Sequence, residues 1–346
     1  MFLTEANVLH YLVERQFADL EAAVTGAFMV RPLTRRNRNF HVTCGTREYL
    51  VKQAKGWDFE ARTSVEREAA FYRLQETASR LAPLVPYCYA YDPPNSVLIL
   101  EFLSGHAELY DAPDRFAPEL GRLCGAAMGA FHQEMESGRL ASKFPGSIPW
   151  CLSLHVHDFE EDLEEPSVGQ RELVRGVKKY VEFAHGLDRL RAEWQDDTLT
   201  HGDWKLENCL ISPDRSRMRV VDWEFVSWGD AIWDVSALLQ SYWNFWVRRP
   251  SEFPIEMIQP VLRAFLNAYA HYRGWELGEL IARAIRFAGA RMLQTAFETL
   301  DKAAAMTGEA VRLMQGSLNI FTRPDWAADQ LIGTSLRKLS GKCVTS

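Results

Sequence analysis

The sequence predicts an α+β protein in two parts, a small β-rich front and a larger, almost wholly helical remainder. Two observations carry this. Short β-like runs separated by turn residues fill the chain up to residue 102, and apolar residues recur at helical period from about residue 115 onward. The length of 346 residues suits two packed domains, and 47% apolar with 25% charged residues is ordinary globular composition, which excludes wholesale disorder, collagen and a disulfide scaffold.

Taken in order, Thr4 can cap a helix over 4–16 whose apolar stripe is Val8, Leu9 and Leu12. Phe28-Met29-Val30, Phe40-His41-Val42-Thr43 and Tyr49-Leu50-Val51-Lys52 read as three strands of an antiparallel meander, the last two flanking Cys44-Gly45-Thr46. Helical period returns over 62–80 through Val65, Ala69, Tyr72 and Leu81. Two further β runs, 85–91 and 97–102, are split by Asp92-Pro93-Pro94-Asn95. After Ser104-Gly105 the pattern is helical at 115–136 and 171–193, with a short β pair at 208–212 and 218–222. Helices follow at 231–246, 256–272, 276–302, 308–320 and 326–338. The expected division is therefore residues 1–103 and residues 104–346.

With 39 basic against 46 acidic residues the net charge is −7, and no basic stripe is present, so nucleic-acid binding is not expected. No apolar stretch approaches the ~20 residues of a membrane span, and Met1-Phe2-Leu3-Thr4-Glu5 lacks the features of a signal peptide. Six cysteines at 44, 88, 124, 151, 209 and 343 show neither C-x-x-C nor zinc spacing, which fits free thiols in a reducing cytoplasm. The run Asp158–Glu165 holds six acids in eight residues and is either a solvated segment or an electronegative wall for a cationic substrate.

The chemistry concentrates between Thr200 and Asp234. His201-Gly202-Asp203-Trp204-Lys205-Leu206-Glu207-Asn208 leads into the β pair, Asp222-Trp223-Glu224 leaves it, and Gly229-Asp230-Ala231-Ile232-Trp233-Asp234 closes the segment. A β pair brings its two ends together, so Asn208 and Asp222 can converge. An amide oxygen and a carboxylate form a hard-oxygen site suited to Mg²⁺ held partly by phosphate and water. Asp203 is then free to accept a proton from a hydroxyl, and Lys205 can place positive charge beside a transferring phosphoryl group. These are the parts of phosphoryl transfer.

The pattern H-G-D-x4-N, D-W-E, G-D-x-x-W-D resembles the family of aminoglycoside phosphotransferases and choline-kinase-like enzymes, which share the protein-kinase-like fold. The resemblance extends over roughly residues 20–320. It implies a bilobal fold, with a small antiparallel sheet and one main helix in the N-lobe and a mostly helical C-lobe. It implies ATP or GTP with Mg²⁺ as cofactors, Asp203 as catalytic base, and Asn208 and Asp222 as metal ligands. Lys205 matches the lysine of the eukaryotic protein-kinase loop D-x-K-x-x-N, which many small-molecule kinases of the family lack. Glu224 is left with three readings: a second metal, a substrate amine, or a hydrogen bond within the local loop.

The same resemblance assigns Lys52, at a strand end, an ion pair with Glu68 on the next helix and contact with the nucleotide phosphates. Glu66 lies ~200° around that helix from Glu68 and is the poorer partner. Leu98–Gly105 resembles the kinase hinge, which assigns adenine contacts to the Glu101 carbonyl and the Leu103 amide. One departure concerns the phosphate loop, Leu33-Thr34-Arg35-Arg36-Asn37-Arg38-Asn39, which has no glycine. Arg35, Arg36 and Arg38 either contact phosphates directly, bind an anionic partner, or form an exposed basic turn. The acceptor expected is the hydroxyl of a small molecule, aminoglycoside- or choline-like. A Ser/Thr peptide of a natural-product pathway is the alternative, and a catalytically inactive kinase-like scaffold is a reading of another class.

Overall fold

A computed structural model describes residues 1–33, 37–156, 166–334 and 336. Arg35, Arg36, the run Asp158–Glu165 and Cys343 lie outside the described residues. The chain divides into two compact units, Met1–Glu108 with Asn208–Val226, and Leu109–Glu207 with Ser227–Ser346. The fold class is α+β.

The first unit is built on a five-stranded antiparallel sheet of β1 (Phe28–Pro32), β2 (Arg38–Cys44), β3 (Arg47–Gln53), β4 (Cys88–Asp92) and β5 (Val97–Glu101), in the order β1-β2-β3-β5-β4. Alternation selects its faces. Phe40, Val42, Tyr49, Val51, Val97 and Ile99 turn to one side and are covered by Leu3 together with Val8, Tyr11 and Leu12 of α1 (Val8–Glu14). α1 is shorter than the sequence suggests because Thr4–Asn7 forms a turn in which the Asn7 amide oxygen accepts from the Thr4 N–H at 2.7 Å. A short helix, α2 (Leu20–Val24), precedes β1. α3 (Phe59–Tyr72) is capped by Asp58, which accepts from the Ala61 N–H at 2.8 Å, and it packs on β4 and β5.

A second, three-stranded sheet completes this unit, with β6 (Ala107–Glu108) beside the hairpin of β8 (Cys209–Ile211) and β9 (Met218–Val220). The hairpin is fastened by the Val220 N–H to the Leu84 carbonyl at 2.7 Å and by the Phe71 and Trp223 rings, stacked at 4.0 Å.

The second unit is helical. It comprises α4 (Pro118–Glu134), α5 (Val168–Lys179), α6 (Val181–Glu193), α7 (Ala231–Arg248), α8 (Ile255–Arg273), α9 (Leu277–Thr299), α10 (Gly308–Thr322) and α11 (Pro324–Ile332), with one strand pair, β7 (Thr198–Thr200) and β10 (Ser227–Gly229). The helix expected over 171–193 is two helices. Val177 is buried on α5 and Phe183 on α6, six residues apart, and Tyr180 between them is extended at φ −102°, ψ 112°. In one continuous helix, residues six apart lie ~240° around the axis, so the two would not share a face. α11 stops at Ile332 because Gly333 takes a left-handed conformation, φ +69°.

α4 and α8 pack closely, and Gly121, Gly125 and Gly129 recur every four residues along the contact. A Cβ at Gly121 or Gly125 would collide with the Val261 or Phe265 backbone carbonyl. Backbone yields less than side chain, so Gly125→Val is expected to lower the melting temperature by roughly 2–10 °C. A thermal melt matching the wild type would show that the two helices can separate at no cost.

Candidate active site

In the first unit, Lys52 on β3 stands across from Asn39 and Leu98 and is 3% exposed. Its Nζ lies 2.7 Å from Glu68 Oε2, 2.5 Å from Asp222 Oδ1 and 3.6 Å from Glu224 Oε2. Burial works against the ammonium charge, but the three carboxylates outweigh it and hold the Lys52 pKa above its ordinary value. Burial pushes the Glu68 carboxyl up. Glu66, two residues earlier on α3, is exposed.

The hairpin register supplies the second part. Cys209 pairs with Val220, and the Val221 N–H donates to the Asn208 carbonyl at 3.0 Å, so Asn208 and Asp222 leave the same end of the hairpin. Asp222 has φ +68°, ψ 55°, a left-handed conformation that few non-glycine residues adopt and that Asp tolerates better than most. Its side chain is 42% exposed, against 1% for Glu68 and 4% for Glu224. Among the described residues no group of three or more His, Cys, Asp or Glu is arranged to hold a metal. The donor set nevertheless fits a magnesium ion completed by phosphate oxygens. It offers one amide oxygen and one accessible carboxylate, and three carboxylates face a single lysine, leaving two formal negative charges for a divalent cation to offset.

Glu224 accepts a hydrogen bond from Asn37 Nδ2 at 2.7 Å and lies 3.4 Å from Ser64 Oγ. It thus ties the start of β2, next to the glycine-free loop, to the segment that carries Asp222. Asn37 was not among the residues the sequence pointed to. Of the arginines there, Arg36 falls outside the described residues, and Arg38 lays its guanidinium over the Phe2 ring at 4.7 Å. Glu101 ends β5, and its carboxylate accepts from the Tyr87 N–H at 3.0 Å. Leu103, two residues on, is 9% exposed.

If Lys52 pairs with nucleotide phosphates as the sequence suggests, Lys52→Ala is expected to weaken Mg·ATP binding by at least about tenfold, because the phosphates would lose a direct charge partner. It also leaves Glu68 buried without its cation, which costs ~3–5 kcal/mol of stability. Nucleotide titration of the folded variant, run beside a thermal melt, separates the two effects. Unchanged ATP affinity in that variant would remove Lys52 from the nucleotide site.

In the second unit, the loop His201–Glu207 is fixed from below. Asp234 of α7, fully buried, accepts from the His201 N–H at 2.7 Å, the Gly202 N–H at 2.9 Å and His132 Nε2 at 3.1 Å. Although burial opposes ionisation, these donors hold its carboxyl below the usual range. Gly202 has φ +82°, and its carbonyl accepts from Arg291 Nη2 at 2.7 Å. The Asp203 N–H donates to His201 Nδ1 at 3.1 Å. Asp203 Oδ2 then meets Lys205 Nζ at 2.7 Å. Burial disfavours the Lys205 charge, but Asp203, Glu207 and Glu298 override it and raise its pKa.

Asp203, Lys205 and Glu207 open onto a cavity of about 250 Å³ walled by α7 and α9. His132 and Arg291 carried no local sequence signal beyond being polar or charged positions within buried helices. Asp234 was visible as the last residue of the motif.

Comparisons with known proteins bear on the family and the fold. A model of the phosphotransferase enzyme family matches residues 30–278, more than half of the chain. Acyl-CoA dehydrogenase family member 11 of Mus musculus is 27% identical over an alignment of 150 residues, a match that covers 37% of this chain and only 19% of the mouse protein. Among solved structures, the Plasmodium vivax ethanolamine kinase aligns with a TM-score of 0.64 at 15% identity, over 92% of this chain and 88% of that one. The streptomycin-ATP-APH(2")-IIa ternary complex aligns with a TM-score of 0.54 at 14% identity, over 93% and 99%. At these identities the structures establish the kinase-like fold. Among the described residues no helix is long and apolar enough to cross a membrane.

Proposed function

Because the chain belongs to the phosphotransferase enzyme family, we propose that it transfers the γ-phosphoryl group of ATP to a hydroxyl of a small molecule in the cytoplasm. The observation that carries this reading is the Lys52 cluster. A buried lysine is held by Glu68 and Asp222, and Asp222 leaves the same hairpin end as Asn208.

In this reading Lys52 pairs with the α- and β-phosphates, and Glu68 keeps its ammonium in place. The Glu101 carbonyl and Leu103 amide receive the adenine edge. Asn208 and Asp222 hold Mg²⁺, which when bound neutralises charge on the phosphate oxygens. Asp203 accepts the acceptor's hydroxyl proton, and Lys205 offsets charge on the transferring group. Lys52, Glu68, Asp203, Asn208 and Asp222 are all present, which disfavours an inactive scaffold. A Ser/Thr peptide remains the alternative acceptor.

The test is a phosphate-transfer screen with ATP and GTP over aminoglycosides, choline-like amines, sugars and Ser/Thr peptides, with and without Mg²⁺. Magnesium-dependent transfer to at least one hydroxyl compound is expected. Neither nucleotide binding nor hydrolysis in the presence of Mg²⁺ would leave only the scaffold.

A further inference from the structure

The peptide that joins Gly202 to Asp203 is held at both ends. Its N–H, that of Asp203, donates to His201 Nδ1 at 3.1 Å, and its carbonyl, that of Gly202, accepts from Arg291 Nη2 at 2.7 Å. Gly202 has φ +82° and no side chain, so the chain can swivel there unless a neighbour fixes it. Asp234 fixes only the peptides before that joint, through the His201 and Gly202 N–H groups. The plane of the next peptide sets the direction in which the Asp203 side chain leaves the loop. The His201 bond lies within the loop and can turn with it. Arg291 grips the same peptide from outside the loop, on α9.

The surroundings of Arg291 suit it to that task. Its side chain is buried, 4% exposed, with the guanidinium on the Trp233 ring at 3.7 Å. Nη2 also lies 3.4 Å from the Trp233 carbonyl, and Nη1 donates to Gln294 Oε1 at 3.1 Å. A planar fork stacked on a ring points its donors in fixed directions, and a lysine ammonium has neither the plane nor the fork. Burying a charge is costly, and an apolar side chain would avoid that cost. What the guanidinium adds is a fixed direction for the Gly202 carbonyl. Trp233 and Asp234, adjacent at the end of the G-D-x-x-W-D motif, thus act before and after one joint. Asp234 holds the N–H groups that lead into Gly202, and Trp233 seats the arginine that holds the carbonyl beyond it. Arg291 and Gln294 also line the cavity of about 250 Å³ onto which Asp203 opens. The peptide that carries Asp203 is therefore tied by hydrogen bonds into the α9 wall of that cavity.

We propose that Arg291, seated on Trp233, is a positioning residue that fixes the direction of the Asp203 carboxylate by holding the Gly202 carbonyl. This rests on the kinase reading above, in which Asp203 is the base.

The test uses the full chain as wild type, Arg291→Lys, Trp233→Leu and Asp203→Asn, with each of the first two changes also made in the Asp203→Asn chain. Water serves as the acceptor, so turnover is ADP release from Mg·ATP with no alcohol added, followed with radiolabelled ATP to reach slow rates. Mg·ATP binding and a thermal melt are run on the same preparations. Arg291→Lys should lower kcat by ~10–100-fold, as a displacement of up to about 1 Å does, with the KM for ATP within about twofold of the wild type. Trp233→Leu keeps the guanidinium but removes its seat, and kcat should fall in the same direction. In the Asp203→Asn chain neither change should lower kcat by more than about a further twofold, because residues that act as a unit are not additive. A role confined to holding the fold together would instead lower the melting temperature and multiply the two losses.

Wild-type turnover in Arg291→Lys, or a loss that multiplies fully with that of Asp203→Asn, overturns the proposal while Mg·ATP binding leaves the kinase reading standing. A wild type that neither binds nor turns over Mg·ATP brings both down together.

Discussion

Asp203→Asn is expected to lower turnover by ~10²–10⁴-fold, about 3–5 kcal/mol of barrier, while Mg·ATP binds as in the wild type. The split follows from where the residue stands. Asp203 belongs to the second unit and meets Lys205 at 2.7 Å. The Lys52 cluster, Asn208 and Asp222 belong to the first. Asn keeps the side-chain shape but cannot take a proton. The loop itself should not move, because its anchors are backbone bonds to Asp234 and Arg291 rather than the Asp203 side chain. Lys205 loses its ion-pair partner, a partly exposed interaction worth little to stability. Single-turnover transfer and equilibrium nucleotide binding, measured on the same preparation, decide the matter. A variant that transfers phosphate at the wild-type rate strips Asp203 of the role of base.

What could be read in advance depended on how far apart in sequence the cooperating residues lie. Asp203, Lys205, Asn208 and Asp222 fall within twenty residues around a single hairpin, so spacing alone implied that the ends bearing Asn208 and Asp222 meet. Lys52 and Glu68 were legible because one closes an alternating strand and the other sits on the inward face of the following helix. The groups that hold these residues in position were hidden. Asn37 reaches Glu224 across 187 residues, and Arg291 reaches Gly202 across 89. No local period encodes such contacts, because Arg291 sits in a run of alanine, glycine and methionine on α9 while its partner lies far away in the sequence. The three-residue strands β7 and β10 escaped for a different reason. They are too short to show alternation and, unlike the equally short β8 and β9, they are not joined by a turn sequence that marks them as a pair.

Asp222→Asn should behave differently from Asp203→Asn, and the contrast is the sharper test of how the roles are divided. The substitution keeps a side chain of the same shape, so the hairpin and its Asn208–Val221 hydrogen bond are undisturbed. The left-handed backbone at φ +68° is one that Asn tolerates as well as Asp. What changes is charge. Two carboxylates rather than three face Lys52, and the accessible one, 42% exposed, is lost. The formal excess falls from two negative charges to one, and a magnesium ion loses its only ionised protein ligand in the proposed site. Mg²⁺-dependent ATP binding should weaken by at least about tenfold and turnover by ~10²-fold or more, since both the clamp on the phosphates and the stabilised charge depend on that ion. Raising the Mg²⁺ concentration should recover part of the loss in Asp222→Asn and none in Asp203→Asn. Equal Mg²⁺ dependence in the two variants would collapse the separation of base from metal ligand, and transfer unchanged in both would move the chemistry away from the His201–Asp234 segment altogether.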